Sequence, residues 1–196
     1  GVVETNVLFA RNENVTVTNN AFLNFGRDAI RCEGGYNYGV WTFDKNVFKN
    51  DEVSANNGIY FQSVSGIKED KYQEIVITNN TFENIGIAEN APSIYNGALS
   101  MRTYQEKGLK VDVLYNTFKN CVNYLRFRNN GANADTYTAN INYNAFYGVP
   151  SGVYHANCND VGDTQTSNPP LANMDCNFYA TLEGSPIVEL SQYEEK

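Results

Sequence analysis

Apolar residues recur at every second position in short bursts along the chain: Val15 and Val17, Trp41 and Phe43, Ile75 and Ile77, Val111 and Val113, Ala139 and Ile141. Such alternation is the period of a strand, since a helix would return its apolar residues every three or four positions. Each burst is followed by an Asn and, two positions later, by a Phe: Asn20 and Phe22, Asn46 and Phe48, Asn80 and Phe82, Asn116 and Phe118, Asn144 and Phe146. A sixth, decayed copy spans Leu171 to Phe178, with Cys176 on the Asn position. The five Asn are separated by 26, 34, 36 and 28 residues, so a fixed unit is interrupted by loops of variable length. That is the mark of a solenoid.

A further strand follows each Phe, at Ala29–Glu33, Gly58–Gln62, Ala98–Arg102, Tyr124–Arg128 and Gly152–Ala156. The expected fold is therefore all-β, with about six coils of three short strands each. Asn tolerates left-handed backbone and bonds its own main chain, which suits a sharp turn. Stacked coil on coil, Asn20, Asn46, Asn80, Asn116 and Asn144 can bond to one another as a ladder. Turn groups that would otherwise be buried unsatisfied, at about 1–3 kcal/mol each, are then satisfied. This accounts for the excess of Asn, 30 residues of 196.

The pattern resembles that of the right-handed parallel β-helices, the architecture of pectate lyases and many phage tailspikes, from about Val7 to Phe178. The resemblance implies that the Asn ladder lies in the turn between the second and third strands. It also implies that Ala29–Glu33 and its successors build the first-strand sheet. Residues 1–196 are expected to form one domain, closed by residues 169–196, which carry Pro169, Pro170, Pro186 and a charged end. Gly1 leads directly into strand-like sequence, with no amphipathic helix to cover the first coil. An open β-helix end is an exposed sheet edge, so the domain is expected to be excised from a longer protein with flanking domains. The resemblance points to a secreted or cell-surface protein of bacterial origin.

With 14 Lys plus Arg against 22 Asp plus Glu, the net charge of -8 argues against a general affinity for nucleic acid. The apolar runs are far shorter than the roughly 20 residues of a membrane-spanning helix, so no membrane insertion is expected. Cys32, Cys121, Cys158 and Cys176 form no CxxC pair, which argues against a zinc or redox motif. They read mostly as buried thiols, with a Cys158 to Cys176 bridge left open.

The turn after each ladder strand has a fixed length, whereas the turns flanking the first-strand sheet vary: residues 51–57 and 85–96 on one side, 63–73, 103–110 and 129–137 on the other. Variable loops on a rigid scaffold are where binding usually resides. Alternation places Arg31, Tyr60, Ser100, Arg126 and Tyr154 in one outward row of that sheet, and Glu33, Gln62, Arg102 and Arg128 in a second. Arg recognises carboxylate or sulfate with a planar fork, and Tyr offers a face to sugar rings. The partner expected on these residues is an acidic polysaccharide. The plainer reading is a solvated polar face whose arginines pair with local acids.

The single His, His155, falls on an inward position, where a satisfied core residue is the ordinary reading. The aspartate clusters of polygalacturonases and pectin methylesterases have no counterpart here, and no cage of six or more oxygens for calcium is visible. No metal-ligand set is assigned. Ala98–Arg102 nevertheless resembles the arginine strand of the chondroitinase B and alginate lyase group, and Tyr124–Arg128 the strand after it. The resemblance implies Arg102 as the reacting or charge-neutralising residue and calcium as the cofactor. Gln62 and Ser63 stand where that group's lysine base would be. Two readings follow: a domain that binds or cleaves an acidic polysaccharide, and a noncatalytic adhesin-like or structural stalk.

Overall fold

The structure, a computed structural model, describes residues 7–10, 14–33, 39–54, 57–64, 73–86, 97–103, 109–129, 137–148, 154–156 and 171–186. Its strands in chain order are β1 (Val7–Ala10), β2 (Val15–Thr18), β3 (Ala21–Leu23), β4 (Asp28–Glu33), β5 (Gly39–Asp44), β6 (Val47–Ser54), β7 (Asn57–Val64), β8 (Gln73–Thr78) and β9 (Thr81–Ile85). They continue as β10 (Gly97–Thr103), β11 (Leu109–Leu114), β12 (Thr117–Lys119), β13 (Leu125–Asn129), β14 (Thr138–Asn142), β15 (Ala145–Tyr147), β16 (Tyr154–Ala156), β17 (Leu171–Asp175) and β18 (Phe178–Ala180). Every third strand joins the same sheet, giving three six-stranded sheets. All their pairings are parallel. The chain visits the sheets in one repeating order, an arrangement consistent with a parallel β-helix.

The alternation reads directly as burial. Trp41, Phe43, Ile75, Ile77, Val111, Val113 and Ile141 of the second sheet are fully buried. Inward residues of the first sheet, among them Ile30, Ile59, Leu99 and Leu125, join the same core. In the third sheet the rings of Phe22, Phe48, Phe82, Phe118 and Phe146 stack in sequence at 4.7–4.9 Å between centroids, each buried ring covering the next. Tyr179 extends the stack at 5.5 Å.

The Asn ladder is present at the corner between the second and third sheets. Each Oδ1 accepts the backbone N–H of the preceding ladder Asn, from Asn46 to Asn20 and from Asn80 to Asn46, at 2.9–3.0 Å. Asn116 does so for Asn80 and Asn144 for Asn116. From Asn46 onward each Nδ2 in turn donates to a carbonyl one coil back, such as Phe43 O for Asn80 and Ile77 O for Asn116, whereas that of Asn20 donates to Thr18 O of its own coil. Two details differ from the sequence reading. The left-handed residue of the turn is the one before the ladder Asn: Asn19, Lys45, Asn79, Tyr115, Tyr143 and Cys176 have φ of 53–59°. In the sixth copy the ladder position falls on Asn177, whose Oδ1 accepts from Asn144 N–H at 2.9 Å, while Cys176 takes the left-handed position. The decayed copy is thus shifted by one residue, and Tyr179, not Phe178, continues the ring stack.

A shorter second series of Asn lies at the far end of the third sheet, with Asn24, Asn84 and Asn120 also left-handed. Asn120 donates to Asn84 Oδ1 at 2.7 Å. Asn50 departs from it because β6 runs on to Ser54, with a register shift after Lys49. Residues 51–54, expected in a loop, are strand. After β18 the chain turns back, with Thr181 N–H donating to Ser185 O and Ala180 forming an antiparallel bridge to Pro186.

Candidate functional site

Ile30 and Cys32 of β4, Ile59 and Phe61 of β7, Leu99 and Met101 of β10, and Leu125 and Phe127 of β13 are all buried in the core. Strand geometry then sends the residues between them to the outer face of the first sheet. Register aligns Arg31 with Tyr60, Tyr60 with Ser100, and Ser100 with Arg126. Neighbouring strands lie about 4.8 Å apart, so the row from Arg31 to Arg126 spans about 14 Å. The row is closed rather than solvent-facing. Tyr60 is 6% exposed, Ser100 2% and Arg126 9%.

The two ends of the row differ in charge balance. At the Arg31 end, the guanidinium Nη1 lies 3.8 Å from Asp28 Oδ2, and its Cζ lies over the Tyr60 ring at 5.4 Å. Asp28 is buried, receives Asn57 Nδ2 at 2.7 Å, and has Arg27 Nε at 3.9 Å. Asn57 Oδ1 accepts Gly97 N–H at 3.0 Å, which ties β4, β7 and β10 together. The first arginine therefore has its acid built in.

At the other end, Arg126 donates from Nη2 to Asn123 Oδ1 at 3.0 Å. Its Nε is fully covered and makes no hydrogen bond. None of the ion pairs among the described residues includes it. Its stem lies against Gly97, where an added Cβ would sit 3.7 Å from Arg126 Cγ. A guanidinium buried on a neutral amide alone lacks the counter-charge that burial ordinarily demands.

Register aligns the second row as Glu33, Gln62, Arg102 and Arg128. The side chains of Glu33, Gln62 and Arg128 lie outside the described residues. Arg102 is half-buried and engaged in an interaction of its own. In β16 the expected faces are displaced by one residue: Tyr154 stands opposite Leu125, and His155 opposite Arg126. The register thus moves Tyr154 off the Arg126 row and gives its place to His155, because a one-residue slip exchanges the faces of a strand. The side chains of both lie outside the described residues. Of the flanking loops, residues 55–56, 65–72, 87–96, 104–108 and 130–136 lie there as well.

Among the described residues, Lys45, Lys49, Lys110 and Lys119 belong to the second and third sheets or the corner between them. No group of three or more His, Cys, Asp or Glu side chains placed to hold a metal ion comes together among the described residues. Cys32 and Cys121 are buried, and burial pushes both thiols up, Cys121 to about 12. Cys176 is exposed and free, contrary to the expectation of a buried thiol, and Cys158 lies outside the described residues. Tyr124, also pushed up by burial, donates to Tyr147 O at 2.6 Å.

The pattern did not pick out Asn57 and Asn123, which sit outside the Asn repeat. The one signal for Asn123 is its place three residues before an outward arginine at the start of a strand. No family model, curated protein or solved structure matches the chain.

Proposed function

We propose that this chain is a right-handed parallel β-helix of six coils, akin to the pectate-lyase-like folds, and that the outer face of its first sheet binds an acidic polysaccharide. The observation that carries the reading is Arg126: a buried cation with a neutral amide as its partner, in a chain of net charge -8. Elsewhere charges are matched locally, as at Arg31 and Asp28 or Lys110 and Glu74. A ligand carboxylate or sulfate would supply the missing counter-charge through charge-assisted hydrogen bonds.

Binding is favoured over cleavage. A lyase must remove an α-proton with a base near the neutralised acid, and Gln62 and Ser63 stand where the lyases that the strand resembles carry their lysine. Arg102 is the residue that turnover would depend on. The domain is proposed to work in a secreted or surface protein with flanking domains.

The test is a panel of alginate, pectate, chondroitin and heparan, with calcium present, read by affinity electrophoresis and by the ultraviolet absorbance of unsaturated uronates. Retardation without new absorbance is the expected result. New absorbance, lost in Arg102→Ala, would make the domain a lyase. Absence of both would overturn the reading in favour of a structural stalk.

A further inference from the structure

The first sheet repeats one short unit in successive coils, so its copies can be compared position by position. Register sets Asp28 of β4 beside Asn57 of β7, and Asn57 beside Gly97 of β10. Asn123, two residues before the Leu99 and Leu125 pair, is the next member of this series, and its carbonyl accepts Ala98 N–H at 2.9 Å. Three residues further on, the same four coils carry Arg31, Tyr60, Ser100 and Arg126. An arginine thus occurs twice in one row, once behind a carboxylate and once behind an amide. The contacts follow the same spacing: Asp28 Oδ2 lies 3.8 Å from Arg31 Nη1, and Asn123 Oδ1 accepts from Arg126 Nη2 at 3.0 Å. The three nitrogens of Arg126 differ in their surroundings. Nε is covered and has no partner, and Nη2 is held by Asn123. Nη1 makes no hydrogen bond either, but it is not among the covered atoms, so it is the nitrogen that solvent reaches.

Resting on the acidic-glycan reading above, we infer that Asn123 is the specificity-determining residue of this face. It carries an amide where the equivalent position of the β4 coil carries a carboxylate. It therefore holds Arg126 in place through Nη2 without answering its charge, and leaves Nη1 for one carboxylate or sulfate from outside the fold. Asn and Asp have nearly the same shape, so the difference between positions 28 and 123 is one of charge. An Asp at position 123 would act twice. It would make a charge-assisted hydrogen bond to the guanidinium from within, and it would set a negative charge beside the incoming anion. Arg31, already matched by Asp28, is on this account a structural residue and not a second anion site.

The test compares the whole chain with Asn123→Asp, Asn123→Ala and a charge-matched control, Asn173→Asp, at an exposed position of the second sheet. Retardation is read in native gels containing pectate or heparan, and stability by urea unfolding. Asn123→Asp is expected to weaken retardation about tenfold or more and to unfold at an equal or higher urea concentration than the wild type. Asn173→Asp, which adds the same charge elsewhere, stays within about threefold of the wild type in retardation. Asn123→Ala deletes the amide without adding charge, and is expected to unfold at lower urea while keeping retardation within about threefold. A variant that is no less stable yet binds less, beside one that is less stable yet still binds, is a pattern that lost packing does not produce. Unfolding of Asn123→Asp at lower urea, or its unchanged retardation, would overturn the inference and leave acidic-glycan binding standing. Equal loss of retardation in Asn123→Ala and Asn123→Asp would do the same, because the hydrogen bond and not the charge would then decide binding. Retardation of the wild type by neither polymer would overturn both.

Discussion

A single oxygen, Oδ1 of Asn116, accepts the backbone N–H of Asn80 at 2.9 Å and its side-chain amide at 3.0 Å. Asn116 Nδ2 meanwhile donates to Ile77 O, Leu114 O and Asn144 Oδ1. Both Asn are buried, so no water stands ready to replace either partner. Asn116→Ala should leave at least two backbone or amide groups unsatisfied and cost about 2–4 kcal/mol. Asn20, at the exposed end of the ladder, should cost less than about 1 kcal/mol when replaced by Ala. Urea unfolding of the two variants checks the contrast, and equal losses would remove the ladder from the account of stability.

Gly58 makes a separate packing prediction. A Cβ there would lie 2.8 Å from Ala98 O and 2.8 Å from Phe82 Cδ1. Neither can yield cheaply, since one is backbone in a central sheet and the other a ring held in the Phe stack between Phe48 and Phe118. Gly58→Ala should cost about 1–3 kcal/mol through overpacking, measured as a lowered thermal midpoint.

The repeat was legible because three physical demands recur at fixed spacing: alternation for the core, an amide for the buried corner, and a ring for the stack. Its last copy was misread by one residue. The spacing puts Cys176 on the Asn position and Phe178 on the Phe position, whereas the ladder is held by Asn177 and the ring position by Tyr179. The left-handed corner was misassigned for a similar reason. Asn19 and Asn79 precede ladder Asn and suit that conformation, but Lys45, Tyr115 and Tyr143 do not advertise it. The outward row was legible from alternation as far as Arg126. Its closure was not, because strand period reports which side of the sheet a residue takes and not how exposed that side is. His155 and Tyr154 exchanged places because the sequence around β16 alternates weakly.

Glu83 gives the pH dependence. Burial pushes its carboxyl upward, but hydrogen bonds and charge from Lys49 at 3.0 Å and Lys119 at 3.5 Å outweigh it and hold the group below its usual value of 4.5. A depressed folded value means that this stabilisation is full above the unfolded value and is lost as pH falls through the folded one. Urea unfolding should therefore show stability declining below about pH 4.5. In Glu83→Gln that decline should be shallower, and an unchanged acid limb would show that the two lysines contribute nothing there.

Arg126 links stability to binding. Holding Arg126 as a residue only 9% exposed, with Nε covered and unpartnered and Asn123 as its neutral companion, works against the folded state. Arg126→Met keeps most of the stem that packs beside Gly97 and deletes the charge. Replacing a poorly compensated buried charge by an apolar side chain of similar volume is commonly neutral or stabilising by about 1–4 kcal/mol. The variant should therefore unfold at equal or higher urea concentration than the wild type while losing retention by acidic glycan. A clear loss of stability would mean that the guanidinium is already paired in solution, and the argument for a ligand anion would fall with it. Arg31→Met is the contrasting case: it takes one guanidinium from the buried Asp28 carboxylate, which keeps Asn57 and the more distant Arg27, and should destabilise the fold by about 1–3 kcal/mol. Opposite signs for two arginines on the same row distinguish the one that serves the fold from the one kept for a ligand.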